Sequence, residues 1–238
     1  MLPDDHRAAL AAAWEPARTS GVLGHVTIDE LWEHTIGYCS VVCSAFSADP
    51  DEVELTLLDV GTGAGVPGVL LAYALPRCSL VALDSNEQRL DHVRRAVRAL
   101  DLGNRVTVVH GRADELARDP LHRESYDVAV ARLLADPSET AELLSPFVRD
   151  GGVLVVSTSE AARPRWETLP VSGLPLGPAQ WRSFSQADLG AAMNSSPSSP
   201  TGSPSLDHFV LVPREGPCPE VLPRRPTARR RRPLLPEG

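Results

Sequence analysis

An α/β fold, a sheet of parallel strands joined by crossover helices, is predicted by three features of this sequence. An apolar run from Leu55 to Val60 enters a loop with glycine at positions 61, 63, 65 and 68, and a second apolar run, Val69 to Leu75, leaves it at helical length. Further short runs rich in valine and leucine, Ser79 to Asp84, Arg105 to His110 and Tyr126 to Arg132, alternate with segments of helical period. The chain has 238 residues, 42% of them hydrophobic, enough to bury one substantial core with room for extensions.

Composition narrows the chemistry. All 23 basic residues are arginine, so lysine takes no part in any mechanism, and the net charge is −8. The start, Met1-Leu2-Pro3-Asp4-Asp5-His6, lacks the basic-then-apolar form of a signal peptide, and no apolar stretch is long enough to span a membrane. Cys39, Cys43, Cys78 and Cys218 follow no zinc spacing and no dense disulfide framework. A cytoplasmic, reduced, monomeric protein without bound metal is expected.

The glycine loop is the chemical centre. Glycine admits positive φ and leaves no Cβ between main chain and ligand, while the following helix offers free N–H groups. A loop that only had to turn would be destabilised by four glycines in eight residues. Gly63-x-Gly65-x-x-Gly68, with Asp84 about 20 residues on, matches a dinucleotide fingerprint, the pattern of an NAD-dependent oxidoreductase. Asp59-Val60-Gly61-Thr62-Gly63-Ala64-Gly65 matches the acid-then-G-x-G-x-G pocket for S-adenosylmethionine (SAM). An acid before the loop is awkward beside a pyrophosphate and natural beside the cationic methionine end of SAM, so Asp59 favours the second reading.

The elements follow in order. His6 to Trp14 reads as a short alanine-rich helix ended by Pro16 and Gly21. Thr27-Ile28-Asp29-Glu30 is a capping box opening a helix with Ile28, Leu31, Thr35, Cys39, Val42 and Phe46 on one face. Cys39 and Cys43 belong to that packing face, and His34 is either a site residue or a satisfied surface histidine, the sequence alone favouring the second. Asp84 ends the second strand at the edge where open sheets bind ligands, suited to accept from two ribose hydroxyls. Ser85-x-x-Gln88 caps the next helix, whose buried face is Leu90, Val93, Val97 and Leu100. Gly111-Arg112-Ala113-Asp114 follows the third strand, and Asp114 is either a ligand to an adenine amino group or a helix cap. Arg132 ends the fourth strand, either positioning a ligand or pairing with Asp127 or Asp84. Asp136-Pro137-Ser138 opens another helix, and Gly151-Gly152 turns into a strand at Val153 to Val156.

Later segments differ in character. Gly173 to Pro178 is a proline- and glycine-rich connection, and residues 190–205 form a low-complexity loop before a strand near His208 to Val212. From residue 214 on, seven arginines face three glutamates, a formal +4, which leaves −12 on residues 1–213. The domain organisation expected is an N-terminal helical extension (1–52), a methyltransferase domain (53–213) and a disordered Pro/Arg-rich tail (214–238). Such a tail also suits phosphate contact.

Asp59 to Gly68 with its Val66-Pro67, Leu83-Asp84-Ser85, Gly111-Arg112-Ala113-Asp114 and Ala131-Arg132 resemble one family, the bacterial small-subunit ribosomal RNA guanine-N7 methyltransferases (GidB/RsmG). The likeness runs from about Thr27 to Glu160. It implies a Rossmann-like class I SAM-dependent methyltransferase with a mostly parallel seven-stranded sheet, its last strand antiparallel, flanked by helices. Carried across residue by residue, it implies SAM contacts at Gly61, Val66, Ala113, Asp114 and Arg132, beside Asp59, Gly63, Gly65 and Asp84 from the loop and strand argument. It implies ribosomal RNA or the small ribosomal subunit as partner. The chain departs from the family in an N-terminal tryptophan–asparagine element that it is expected to lack, in Gly37 where an aspartate is usual, in Leu133 where a small residue is usual, and in Ser157-Thr158-Ser159 where a lysine is common. A small-molecule methyltransferase or a SAM-binding protein without turnover would share the same cofactor pocket. Guanine N7 carries no proton, so no catalytic base is expected and none is assigned.

Overall fold

Alternate side chains of each strand pass to opposite faces of one sheet, and both faces are covered. In the computed structural model, described for residues 2–132, 134–169, 173–184, 207–231 and 234, seven strands lie in the order β3-β2-β1-β4-β5-β7-β6. They are β1 (Thr56–Val60), β2 (Ser79–Asp84), β3 (Val106–His110), β4 (Tyr126–Arg132), β5 (Val148–Thr158), β6 (Gln180–Phe184) and β7 (Asp207–Pro213). The pairs among β1 to β5 are parallel, and β7 runs antiparallel to both β5 and β6. The seven-stranded sheet and its antiparallel strand agree with expectation; β6 had no signal of its own in the sequence.

One face buries Leu57, Leu80, Val128, Val130, Val155 and Phe209 under α1 (Asp4–Thr19), α2 (Ile28–Phe46), α3 (Gly68–Ala74) and α4 (Glu87–Ala99). The other buries Leu58, Val60, Leu83, Ala129, Leu154 and Val210 under α6 (Pro137–Leu144) and α7 (Arg163–Glu167). A four-residue turn of helix, α5 (Ala113–Leu116), follows β3. Because both faces are covered, strand residues are apolar nearly without interruption, which is why they read as runs and not as alternation.

Several elements differ from their sequence expectation. Helix α1 continues through Pro16 to Thr19, since Trp14 and Ala17 on either side of the proline are both buried and packing outweighs the lost hydrogen bond. The capping box of α2 forms as expected, with Glu30 N–H donating to Thr27 Oγ1 and Thr27 N–H to Glu30 Oε2. Asn86, not Ser85, caps α4, accepting from Arg89 N–H at 3.2 Å. Strand β5 starts at Val148 and carries Gly151-Gly152 within it, where a Cβ on Gly152 would stand 2.4 Å from the Asp127 carbonyl oxygen. His34 is half-buried, not a surface residue, stacked on Phe209 with ring centroids 5.3 Å apart.

The largest difference lies at the C-terminus. Residues 214–231, expected as a disordered tail, pack against the body and end in a short helix, α8 (Pro226–Arg231). Arg214 is 1% exposed and donates to the Ser145, Pro175 and Gly216 carbonyls and to Glu124. Arg123 holds the Cys218, Pro219 and Leu222 carbonyls, and Leu222 is buried. Composition suggested a solvated charge run, whereas Arg214 within it is buried and has specific acceptors. The low-complexity stretch 190–205 and Leu133 lie outside the described residues.

Candidate functional site

Strand order reverses direction between β1 and β4, and the crevice beyond the carboxyl ends at such a switch is where open α/β sheets bind ligands. The glycine loop leaves β1 at this point. Gly61 and Thr62 N–H donate to the Leu83 carbonyl at 2.8 and 2.9 Å, folding the loop back over the end of β2. Gly63 N–H donates to Asp84 Oδ2 at 2.9 Å, and Asn86 N–H to Asp84 Oδ1 at 2.8 Å. The φ angles of Gly61, Gly63 and Gly65 are +73°, +58° and +91°, a region closed to most side-chain-bearing residues. The Val66–Pro67 peptide is cis.

Asp59 departs from its expected place. It is 1% exposed and points beneath the loop, where Oδ2 accepts from Thr62 Oγ1 at 2.6 Å and from Gly68 N–H at 2.9 Å. A Cβ at position 68 would stand 2.5 Å from Asp59 Oδ2, so glycine there is required by the carboxylate and not by a ligand. Asp59 Oδ1 has no hydrogen-bond partner. Burial pushes the carboxyl up to about 6, opposed by the Thr62 and Gly68 hydrogen bonds and by the charge of Arg132.

A pH dependence follows. The folded carboxyl titrates near 6 against 3.8 for the free group, so its stabilising contribution is complete below about 3.8 and lost as pH rises through about 6, by on the order of 2–3 kcal/mol. Asp59→Asn is expected to lose this slope. Urea denaturation of both proteins at pH 4.5 and 7 measures it, and equal slopes would show that Asp59 titrates as an ordinary carboxylate.

Beside the loop, Ser85, Ala113, Asp114, Leu134, Glu139 and Leu143 are among the residues lining an open groove of about 270 Å³. Ala113 and Asp114 were expected here. Asp114 is 6% exposed, with Arg112 Nη2 3.0 Å from Oδ1. Loop and groove share a wall, since a Cβ on Gly61 would lie 2.8 Å from Leu134 Cδ1. Val66, 3% exposed, belongs to the core behind the loop. Arg132 is half-buried at the end of β4. The ion pairs considered for it are engaged otherwise: Asp127 binds Arg149 and Thr56 N–H, both at 2.6 Å, and Asp84 takes the two loop amides.

Two contributors were not legible in the sequence. Trp14 Nε1–H donates to the Ala64 carbonyl at 2.9 Å, bracing the loop from α1. Tyr38 OH donates to the Ala131 carbonyl at 2.6 Å and accepts from Ser157 N–H at 3.0 Å, tying the ends of β4 and β5 together. Burial raises the Tyr38 pKa, keeping the phenol protonated. The only available signal was the need of a buried Trp or Tyr for a polar partner. Gly37 has a packing reason: a Cβ there would come within 2.5 Å of the Phe209 ring.

Residues 14–171 match a family model, GidB, described as rRNA small subunit methyltransferase G. The chain belongs to this family. The ribosomal RNA small subunit methyltransferase G of Moorella thermoacetica is 30% identical over 209 residues, covering 87% of this chain and 79% of that protein. The protein of the same name from Leuconostoc citreum is 43% identical over 107 residues, covering 45% of this chain and 44% of that one. The chain thus spans about half the length of several GidB relatives it matches. Among solved structures, an O-methyltransferase from Bacillus cereus in complex with SAH is similar in fold, with a TM-score of 0.59, 16% identity, and coverage of 90% of this chain and 93% of that one. Among the described residues of this GidB chain, no helix is long and apolar enough to cross a membrane, and no group of His, Cys, Asp and Glu could hold a metal ion.

Proposed function

We propose that this chain transfers a methyl group from SAM to guanine N7 of small-subunit ribosomal RNA. The observation that carries the reading is the union of a positive-φ glycine loop, Asp84 at the end of β2 and the groove holding Asp114, in a chain of the GidB family. These residues fit a nucleoside cofactor: the loop offers bare main chain, Asp84 a carboxylate for a ribose diol, and Asp114 with Ala113, Leu134 and Leu143 an acceptor beside apolar walls for a purine. Gly61, Gly63 and Gly65 would hold the methionine end, with Arg132 positioning it from β4.

Asp59 serves this site from behind, by holding the loop at Thr62 and Gly68 and by placing negative charge under it. When bound, SAM supplies a methyl group on a sulfonium, an electrophile that needs no activation. Guanine N7 presents an in-plane lone pair without a proton, so the chain's residues need only align the acceptor and exclude water. Tyr38 acts in this sense by fixing the strand ends that border the acceptor side.

The test is transfer from labelled SAM to small ribosomal subunits and to naked ribosomal RNA from cells lacking this protein. The expected result is incorporation at a single guanine N7. SAM binding measured by calorimetry without incorporation into either acceptor would overturn the assignment of the acceptor.

A further inference from the structure

The seven arginines after residue 213 are not equivalent. Arg225 is exposed, as a solvated tail predicts, but Arg229 is 7% exposed and lines the groove that holds Ala113, Asp114, Leu134 and Leu143. Its Nε lies 3.2 Å from Glu139 Oε1, and its Nη1 donates to the Arg224 carbonyl at 2.7 Å. Five residues earlier, Arg224 donates from its main-chain N–H and Nε to Glu142 Oε1 at 2.7 and 2.9 Å, and from Nη2 to Oε2 at 2.6 Å. Glu142 is 1% exposed, so this pair is a buried anchor. Glu139 and Glu142 stand three apart on α6 and therefore share one helix face. Two arginines of the C-terminal segment meet that face in register, which lays the segment along α6 and brings Arg229 to the groove.

We propose that the C-terminal segment is a wall of the nucleoside groove and that Arg229 is a positioning residue for the purine ring of the cofactor. The family model's match ends at residue 171, before this segment. The chemistry is that of a planar guanidinium, which stacks on aromatic faces in a way an ammonium does not. Glu139 and the Arg224 carbonyl already hold this guanidinium in place, so little side-chain freedom is lost when a ring settles against it. Glu139 balances the charge of Arg229 and Arg112 that of Asp114, so the groove suits a neutral base better than a phosphate.

The inference rests on the SAM reading, and calorimetry on the full chain separates the two. Titrations with SAM and with adenosine are made on wild type, Arg229→Ala, Arg229→Lys and, as control, Arg225→Ala. Expected for Arg229→Ala is a loss of about tenfold in affinity, about 1.4 kcal/mol, the same for SAM and adenosine because both carry the purine. Arg229→Lys recovers little of it, and Arg225→Ala binds as wild type. In turnover the KM for SAM rises with kcat unchanged. Arg229→Ala binding adenosine within twofold of wild type would overturn the proposal while leaving the SAM reading intact. Wild type that binds no SAM would overturn the SAM reading itself. Should Arg229→Ala fail to fold, Arg229→Met carries the test: it keeps the length and apolar stem of the side chain but removes the planar cation, and a folded Arg229→Met with unchanged adenosine affinity overturns the role of Arg229.

Discussion

Asp84→Ala is expected to weaken SAM binding by about a hundredfold. The carboxylate has two tasks in one place. It accepts from Gly63 and Asn86 N–H, holding the glycine loop to the end of β2, and in the proposed complex it accepts from the ribose hydroxyls. A hydrogen bond to a charged group contributes about 1.5–3 kcal/mol, and losing the ribose contacts while loosening the loop removes about 3 kcal/mol, two powers of ten in Kd. Asp84→Asn keeps the shape and one acceptor oxygen, so a smaller loss, about tenfold, is expected. Calorimetry with SAM reads both, and an alanine variant binding within threefold of wild type would remove Asp84 from the cofactor site.

Arg214→Met is expected to lower stability by about 2–4 kcal/mol, because its buried guanidinium serves the Ser145, Pro175 and Gly216 carbonyls and Glu124 at once. Methionine is nearly as long as arginine but donates nothing, so the Ser145 carbonyl loses its arginine donor, while the Pro175 carbonyl and Glu124 keep only the Glu215 and Cys218 N–H groups, in a place where Arg214 is 1% exposed. For a chain of this size that corresponds to a fall in Tm of about 10 °C. The comparison is Arg225→Met, whose exposed side chain predicts a change within about 0.5 kcal/mol. Equal urea midpoints for the two variants would show that the C-terminal segment is not part of the cooperative folding unit.

What the sequence by itself determined here is whatever is written in contiguous residues. The strand–loop–helix unit, the alternation of strands and helices, the α2 capping box and the glycine positions depend on local periodicity, φ and capping, and those are encoded within a few residues of one another. The placement of Asp84 and Asp114 was legible for the same reason: Asp84 ends β2 and Asp114 follows the end of β3 in the next short helix, and the ends of parallel strands converge on one edge of the sheet. Tertiary structure decided the rest. It turned Asp59 inward, because a strand covered on both faces leaves its side chain only the buried donors of Thr62 and Gly68. It carried α1 through Pro16 by packing Trp14 and Ala17 together, and brought Trp14 to Ala64 across fifty residues of sequence. It also converted an arginine-rich tail into a packed segment. Composition registers the charge of Arg214, Arg224 and Arg229, but the acceptors that hold them, Glu124, Glu142 and Glu139, lie 82 to 90 residues away and become neighbours only when the sheet and α6 have formed.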